Sequence, residues 1–328
     1  MKLAVLGAGA WGTAVSVSLA TRHAVTLWAR DRAAVDDMLA TRVNSRYLPA
    51  VQIPPQVKIS ARFDEAIAAC ELILVATTTA GLRPALRQVA AAGTASPVVW
   101  LCKGFESDTA QLPHEIAAAE LPDATPRGAL SGPSFAQEVA RGLPTALTMA
   151  SSDGDFASRL ARELHAQSLR IYSSDDLPGV EVAGAVKNVM AIAAGISDGL
   201  GLGANARAAL VTRGLAEITR LGLKLGGRIE TFMGLTGVGD LILTCTGDLS
   251  RNRRLGLKLA QGVKLEVALR ELGHVAEGVY TARGVDRLAR ELAIDMPITR
   301  AVCRVFDENV SARAAVDELL RRDPKAEY

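Results

Sequence analysis

The segment that most constrains this chain is its beginning. The apolar run Lys2–Leu6 leads directly into Gly7-Ala8-Gly9-Ala10-Trp11-Gly12, and residues 13–21 then have the composition of a helix. A G-x-G-x-x-G run between a strand and a helix has a specific physical use. The first glycine permits a tight turn, the second lets the backbone approach a pyrophosphate, and the third allows close helix–strand packing. The helix N-terminus then presents free N–H groups to an anion. Alone the pattern is weak; with a second strand following at residues 24–29 it predicts a dinucleotide-binding turn.

The remainder of the first half continues the alternation. Residues 32–39 read as a helix, 57–60 as a short strand, and 72–76 and 97–102 as strands apolar on both faces. Continuous apolar runs separated by helical patterns predict a parallel sheet covered on both sides. Residues 146–150 and 169–172 extend that sheet. Pro178-Gly179 then breaks the pattern, and from Val180 onward apolar residues recur at helical spacing through to residues 312–322. The expectation is an α/β chain, with a Rossmann-type doubly wound domain over residues 1–177 and an all-helical substrate-binding and catalytic domain over 178–328.

The end of the second strand bears on cofactor choice. An acid there holds a ribose 2′-hydroxyl, whereas an arginine accommodates a 2′-phosphate. The run is Trp28-Ala29-Arg30-Asp31-Arg32, with Arg30 at the expected place. Arg30 favours NADPH; Asp31 keeps NADH open as the alternative. Arg32 reads equally well as a solvated helix-start residue.

Two lysines and a basic cluster carry the chemistry. Lys103 follows the strand at 97–102, and ligands of open parallel sheets bind outside the carboxyl ends of the strands. It is either a ligand-facing lysine or a solvated loop residue. Lys187 has Ala183, Gly184, Met190 and Ala191 as helical neighbours, so its head is poorly solvated. Desolvation suits a lysine to proton exchange near neutral pH; a snorkelling lysine fits the spacing equally well. In Ser250-Arg251-Asn252-Arg253-Arg254, Ser250 is placed to cap a helix whose first turn carries three arginines, an arrangement suited to an anion. Arg253 and Arg254 are expected to be solvated.

Taken together the motifs resemble the bacterial NAD(P)-dependent glycerol-3-phosphate dehydrogenases. The matching segments are GAGAWGTA at 7–14, CKGFE at 102–106, LSGPSFAQEV at 130–139, AVKNVMAIAAGISDGL at 185–200, NARAALVTRGLAEI at 205–218, GLTGVGDLILTCTG at 234–247, SRNRRLG at 250–256 and VAEGVYTA at 275–282. They run in order along the whole chain. The resemblance implies reduction of dihydroxyacetone phosphate to sn-glycerol 3-phosphate, reversibly, for glycerophospholipid synthesis. It implies that Lys187 is the proton donor and acceptor, that Asp240 contacts substrate and orients the lysine, and that Lys103 touches both cofactor and substrate. Gly132, Ser134 and Ala136 match a loop shared by substrate and nucleotide. Ser250, Arg251 and Asn252 match the substrate-phosphate site, with Arg251 also reaching the cofactor. Ala10 and Trp11 match the glycine loop, and Val275 and Glu277 a cofactor contact. The link at residues 21–23 is a residue shorter than the family's usual one. Locally, Asp240 also reads as a turn aspartate, Ser134 as a helix cap and Glu277 as a surface acid.

Other classes fit less well. The formal net charge is +2 and aromatics are 4%, which argues against a nucleic-acid partner. Cys70, Cys102, Cys245 and Cys303 form no C-x-x-C pair, and His23, His114, His165 and His274 have no paired ligand spacing, so no metal is expected. No signal-peptide pattern is present, and the apolar stretch 180–202 contains Glu181, Lys187, Asn188 and Asp198, so the expectation is a cytoplasmic protein with no membrane insertion. The helical half is expected to make a homodimer contact. The rival readings are a two-domain reductase of a keto acid, against which Ser250-Arg251-Asn252 argues, and a noncatalytic nicotinamide sensor, against which Lys187 and Asp240 argue.

Overall fold

A computed structural model describes residues 1–273, 277–308 and 310–322. The chain forms two compact units, one of residues 1–103 with 111–181, the other of 104–110 with the chain from Val182 onward.

The first unit runs β1 (Lys2–Leu6), α1 (Ala10–Leu19), β2 (Ala24–Trp28), α2 (Arg32–Thr41), β3 (Val43–Asn44), β4 (Leu48–Gln52), β5 (Lys58–Ser60), α3 (Phe63–Ile67), β6 (Leu72–Val75), α4 (Thr79–Ala91), β7 (Val98–Trp100), α5 (Pro113–Glu120), β8 (Arg127–Ser131), α6 (Ala136–Ala140), β9 (Thr145–Ala150), α7 (Gly154–Leu164) and β10 (Leu169–Ser174). Eight strands form one sheet in the order β10-β9-β8-β7-β6-β1-β2-β5, while β3 and β4 make a separate antiparallel hairpin. The apolar runs have the predicted cause. Leu3, Val5, Leu72, Leu74 and Val99 feed a core on one face of the sheet. Ala4, Leu6, Ile73, Val75, Val98 and Trp100 feed a core on the other.

The sheet departs from all-parallel at one junction, where β8 and β9 run antiparallel. Strand β8 was not among the strands expected from sequence, because Gly128 interrupts it. A Cβ there would lie 2.3 Å from the Ala150 carbonyl oxygen, so this glycine admits the neighbouring strand.

The helical unit begins within α8 (Leu177–Gly199). Pro178-Gly179, read as a break, occupies the first turn of this helix, where proline is tolerated because the turn's N–H groups have no intrahelical acceptor. Helix α8 is long and apolar enough to cross a membrane, yet its apolar window is wholly buried in the protein. Its acid Glu181 accepts from Trp100 Nε1 at 2.8 Å and pairs with His114 Nδ1 at 2.5 Å, both within the first unit. There follow α9 (Gly203–Lys224), α10 (Ile229–Phe232), a π-helical turn at Leu235–Gly239, α11 (Asp240–Thr246), α12 (Arg251–Ala260), α13 (Leu265–Leu272), α14 (Glu277–Glu291), α15 (Pro297–Asp307) and α16 (Ala312–Leu320).

Candidate active site

The glycine turn lies where the strand order reverses, between β1 and β6. Gly7 adopts φ +118°, and a Cβ on it would lie 2.7 Å from the Ala76 carbonyl oxygen at the end of β6. A Cβ on Gly12 would lie 1.9 Å from the Gly7 carbonyl oxygen, so any side chain would force the helix off the strand. Gly9 is the N-cap of α1 and has no side chain to occupy its N–H groups; nothing lies within 4 Å of where its Cβ would be. Ala10 opens the helix. Trp11 and Ala136 both pack on the small cluster of Ala14, Leu48, Val51 and Val139, which brings α6 to the glycine loop.

Asn44, which sequence reasoning missed, braces this loop. Its buried amide donates to the Ala8 carbonyl at 2.9 Å and contacts Thr13 Oγ1 at 2.8 Å. A lone asparagine in a two-residue strand gives no periodic signal, so only the fold reveals it.

At the end of β2, Arg30 is exposed, whereas Arg32 pairs with Asp36 at 3.1 Å. The Asp31 carboxylate caps α2, accepting from the N–H groups of Ala33 and Ala34.

Lys103 follows β7, and Gly132 follows the adjacent β8. Lys103 Nζ and Ser134 Oγ both donate to the Gly132 carbonyl at 3.0 Å. Ser134 is therefore not the cap of α6, whose N-cap is Phe135.

In the helical unit, Lys187 and Asp240 form an ion pair at 6% and 1% exposure. The pair gives each charge the partner that burial otherwise denies it. The glycine-rich approach to Asp240 is the π-helical turn, so Asp240 opens α11 rather than sitting in a loose turn. Thr244, one helical turn on and also missed from sequence, donates to the Asp240 main-chain carbonyl at 2.6 Å, with its hydroxyl 3.3 Å from Oδ1. Burial pushes the neighbouring Cys245 thiol up to about 12, so it stays protonated.

Ser250 caps α12 as expected, accepting from the Arg253 N–H at 3.2 Å. Arg251 is exposed, and Asn252 donates through Nδ2 to Asn188 Oδ1 at 2.9 Å, which joins α12 to the residue after Lys187. Among the described residues Asn252 Oδ1 is buried with no partner, and a Cβ on Gly278 would lie 2.6 Å from it, which brings the first turn of α14 to the same place. Glu277 opens that helix; Val275 lies outside the described residues. The expectation that Arg253 and Arg254 are solvated holds for Arg254 alone. The Arg253 side chain is 12% exposed and bound to Asp198 and Asp248, because an acid from α8 lies against it. Among the described residues no group of three His, Cys, Asp or Glu could hold a metal ion.

The family described as NAD-dependent glycerol-3-phosphate dehydrogenase matches in both its parts, the N-terminus over residues 2–157 and the C-terminus over 176–317. A glycerol-3-phosphate dehydrogenase [NAD(P)+] of Nitrosospira multiformis is 59% identical, the alignment covering 100% of this chain and 99% of that one. The protein of the same name from Thiobacillus denitrificans is 58% identical, with both chains covered in full. The crystal structure of glycerol-3-phosphate dehydrogenase from Coxiella burnetii is 43% identical, covers 98% of this chain and 99% of its own, and superposes with a TM-score of 0.94.

Proposed function

The chain belongs to the NAD-dependent glycerol-3-phosphate dehydrogenase family, and from that premise we propose how its residues divide the work. It is an NAD(P)-dependent oxidoreductase that reduces dihydroxyacetone phosphate to sn-glycerol 3-phosphate, reversibly, in lipid metabolism. The observation that carries the assignment of roles is the buried Lys187–Asp240 pair, beside a helix start that presents Ser250, Arg251 and Asn252.

The first unit has the features a dinucleotide requires: an open helix N-terminus at Gly9, and next to the Gly7 turn a Thr77 hydroxyl that is buried without a partner among the described residues. When bound, the nicotinamide supplies the hydride. The residues of the chain supply position, charge and a proton. Lys187 hydrogen-bonds the ketone oxygen and gives up its Nζ proton as negative charge develops there. Asp240, held by Thr244, keeps that ammonium in place. Arg251, Asn252 and the start of α12 grip the phosphate and so orient the ketone. Lys103, steadied on the Gly132 carbonyl with Ser134, contributes charge toward cofactor and substrate; Ala136, Trp11, Glu277 and Val275 contact the cofactor.

NADPH is the preferred reductant. Arg30 is exposed and offers a guanidinium to a 2′-phosphate, while the Asp31 carboxylate is engaged as a helix cap and is withdrawn from the ribose. The enzyme works in the cytoplasm as a homodimer through its helical unit, where Leu223, Ile229 and Met233 are 49%, 54% and 62% exposed.

The test is loss of reduced-nicotinamide absorbance with dihydroxyacetone phosphate and NADPH, then NADH. Rapid oxidation, faster with NADPH, is expected. No oxidation with either, from folded protein that binds nucleotide, would overturn the substrate assignment.

A further inference from the structure

Asp198 and Arg253 are each at the wrong end of a helix. Asp198 is in the last turn of α8, where the helix dipole disfavours an acid, and Arg253 is in the first turn of α12, where it disfavours a base. The two charges meet: Arg253 Nε and Nη2 reach Asp198 Oδ2 at 2.9 and 2.7 Å, and each side chain is 12% exposed. Arg207, from α9, adds contacts at 3.1 Å to both carboxylate oxygens of Asp198. A partly buried contact of this kind, in which two guanidinium donors converge on one carboxylate oxygen, holds geometry better than a surface ion pair.

The backbones beneath the pair are in contact. A Cβ on Gly195 would lie 2.0 Å from the Arg253 carbonyl oxygen, and a Cβ on Gly256 would lie 2.1 Å from the Ile192 carbonyl oxygen. The start of α12 is therefore pressed onto α8 eight residues beyond Lys187 and clamped there by Asp198. Within that one turn the arginines are divided in use. The Arg253 N–H is taken by Ser250 and its guanidinium by Asp198 and Asp248. The exposed Arg251 side chain makes no hydrogen bond to the protein among the described residues.

We propose that Asp198 is a positioning residue for the phosphorylated substrate: through Arg253 it sets the first turn of α12, so that Arg251 and Asn252 meet the phosphate at a fixed distance from Lys187. It touches neither substrate nor the reacting atoms. The inference rests on the roles proposed above for Arg251, Asn252 and Lys187.

The experiment compares wild-type enzyme with Asp198→Asn, Asp198→Glu and Arg253→Lys. Steady-state rates are read with dihydroxyacetone phosphate and NADPH, and calorimetry reads binding of glycerol 3-phosphate. An inactive wild-type enzyme would sink the functional reading itself, before any variant is considered. With an active wild type, Asp198→Asn should raise KM for dihydroxyacetone phosphate and Kd for glycerol 3-phosphate together by about tenfold. Its kcat should stay within about threefold, and the KM for NADPH should move several-fold less than that for the ketone. Asp198→Glu should recover part of the loss. Arg253→Lys, which keeps the charge but not the fork, should shift the same two constants to a smaller extent, and it serves as the readout if Asp198→Asn fails to fold. A fall in kcat at unchanged KM, an equal rise in both KM values, or unchanged constants in the folded variants would each overturn the proposal.

Discussion

Lys187 and Asp240 are bonded to one another in the interior of the helical unit, the lysine from the middle of α8 and the aspartate from the first residue of α11. A buried pair adds little net stability, because desolvation offsets its attraction, but losing one member leaves an uncompensated charge. The arrangement is thus costly to break and lies at the amine proposed to handle the proton. Lys187→Ala should lower kcat by about a thousandfold, within the range of general acid–base catalysis, while glycerol 3-phosphate binding weakens far less. Asp240→Asn should lower kcat less than Lys187→Ala, and should lower the unfolding temperature as well, since it strands the ammonium. Near-normal turnover of Lys187→Ala would remove the lysine from the chemistry.

Lys187 also shows how legible the chain is. The glycine turn, the two-faced strands and the helical second half all follow from local pattern, because each depends on neighbours within one or two turns of chain. The ion pair does not. It joins residues 187 and 240, and no spacing rule reaches that far; the small neighbours of Lys187 gave only the expectation of poor solvation. Asp240, Ser134 and Glu277 entered through family resemblance, each having an ordinary local reading as turn, cap or surface acid. The structure removes that reading for Ser134, which bonds Gly132, and for Asp240, which opens α11. Asn44, Thr244 and Asp198 escaped altogether, because each acts through a contact that exists only after folding.

On the proposed reading, Arg30 sets cofactor preference. Its neighbour Asp31 is spent on the N–H groups of α2, so Arg30→Ala should reduce kcat/KM for NADPH by about tenfold to a hundredfold, the range of a charged hydrogen bond. The value for NADH should change by less than about threefold, and the ratio of the two is the measurement. Equal losses for both cofactors would show that Arg30 supports the fold of the loop instead of reading the 2′-phosphate.

Asn44→Ala tests the brace under the glycine turn. It removes the donor to the half-buried Ala8 carbonyl, at a cost of about 1 kcal/mol in stability. Because the loop it steadies forms the dinucleotide turn, KM for NADPH should rise while KM for dihydroxyacetone phosphate holds. Denaturant unfolding and steady-state kinetics on the same preparation separate the two effects.

Glu217 gives the helical unit a pH dependence of definite sign. From α9 it accepts the Ile298 N–H at 2.6 Å, and the Thr299 N–H and hydroxyl at 3.2 and 3.0 Å, all at the start of α15. At 1% exposure, burial pushes its carboxyl from 4.5 up to about 7; the bonds to Ile298 and Thr299 and the charge of Arg220 pull the other way and only partly offset it. Folded protein therefore binds more protons at this site than unfolded chain between pH 4.5 and about 7, so raising the pH through that window destabilises the fold. The stabilisation is fully present below the unfolded value and is lost above the folded one, and the full span is worth about 3 kcal/mol. Glu217→Gln should flatten this slope. It should also lower stability at the acid end, because an amide N–H₂ would face the Thr299 donors. Chemical denaturation at a series of pH values, on wild type and variant, reads the slope directly. An identical slope in the variant would assign the pH dependence to another group.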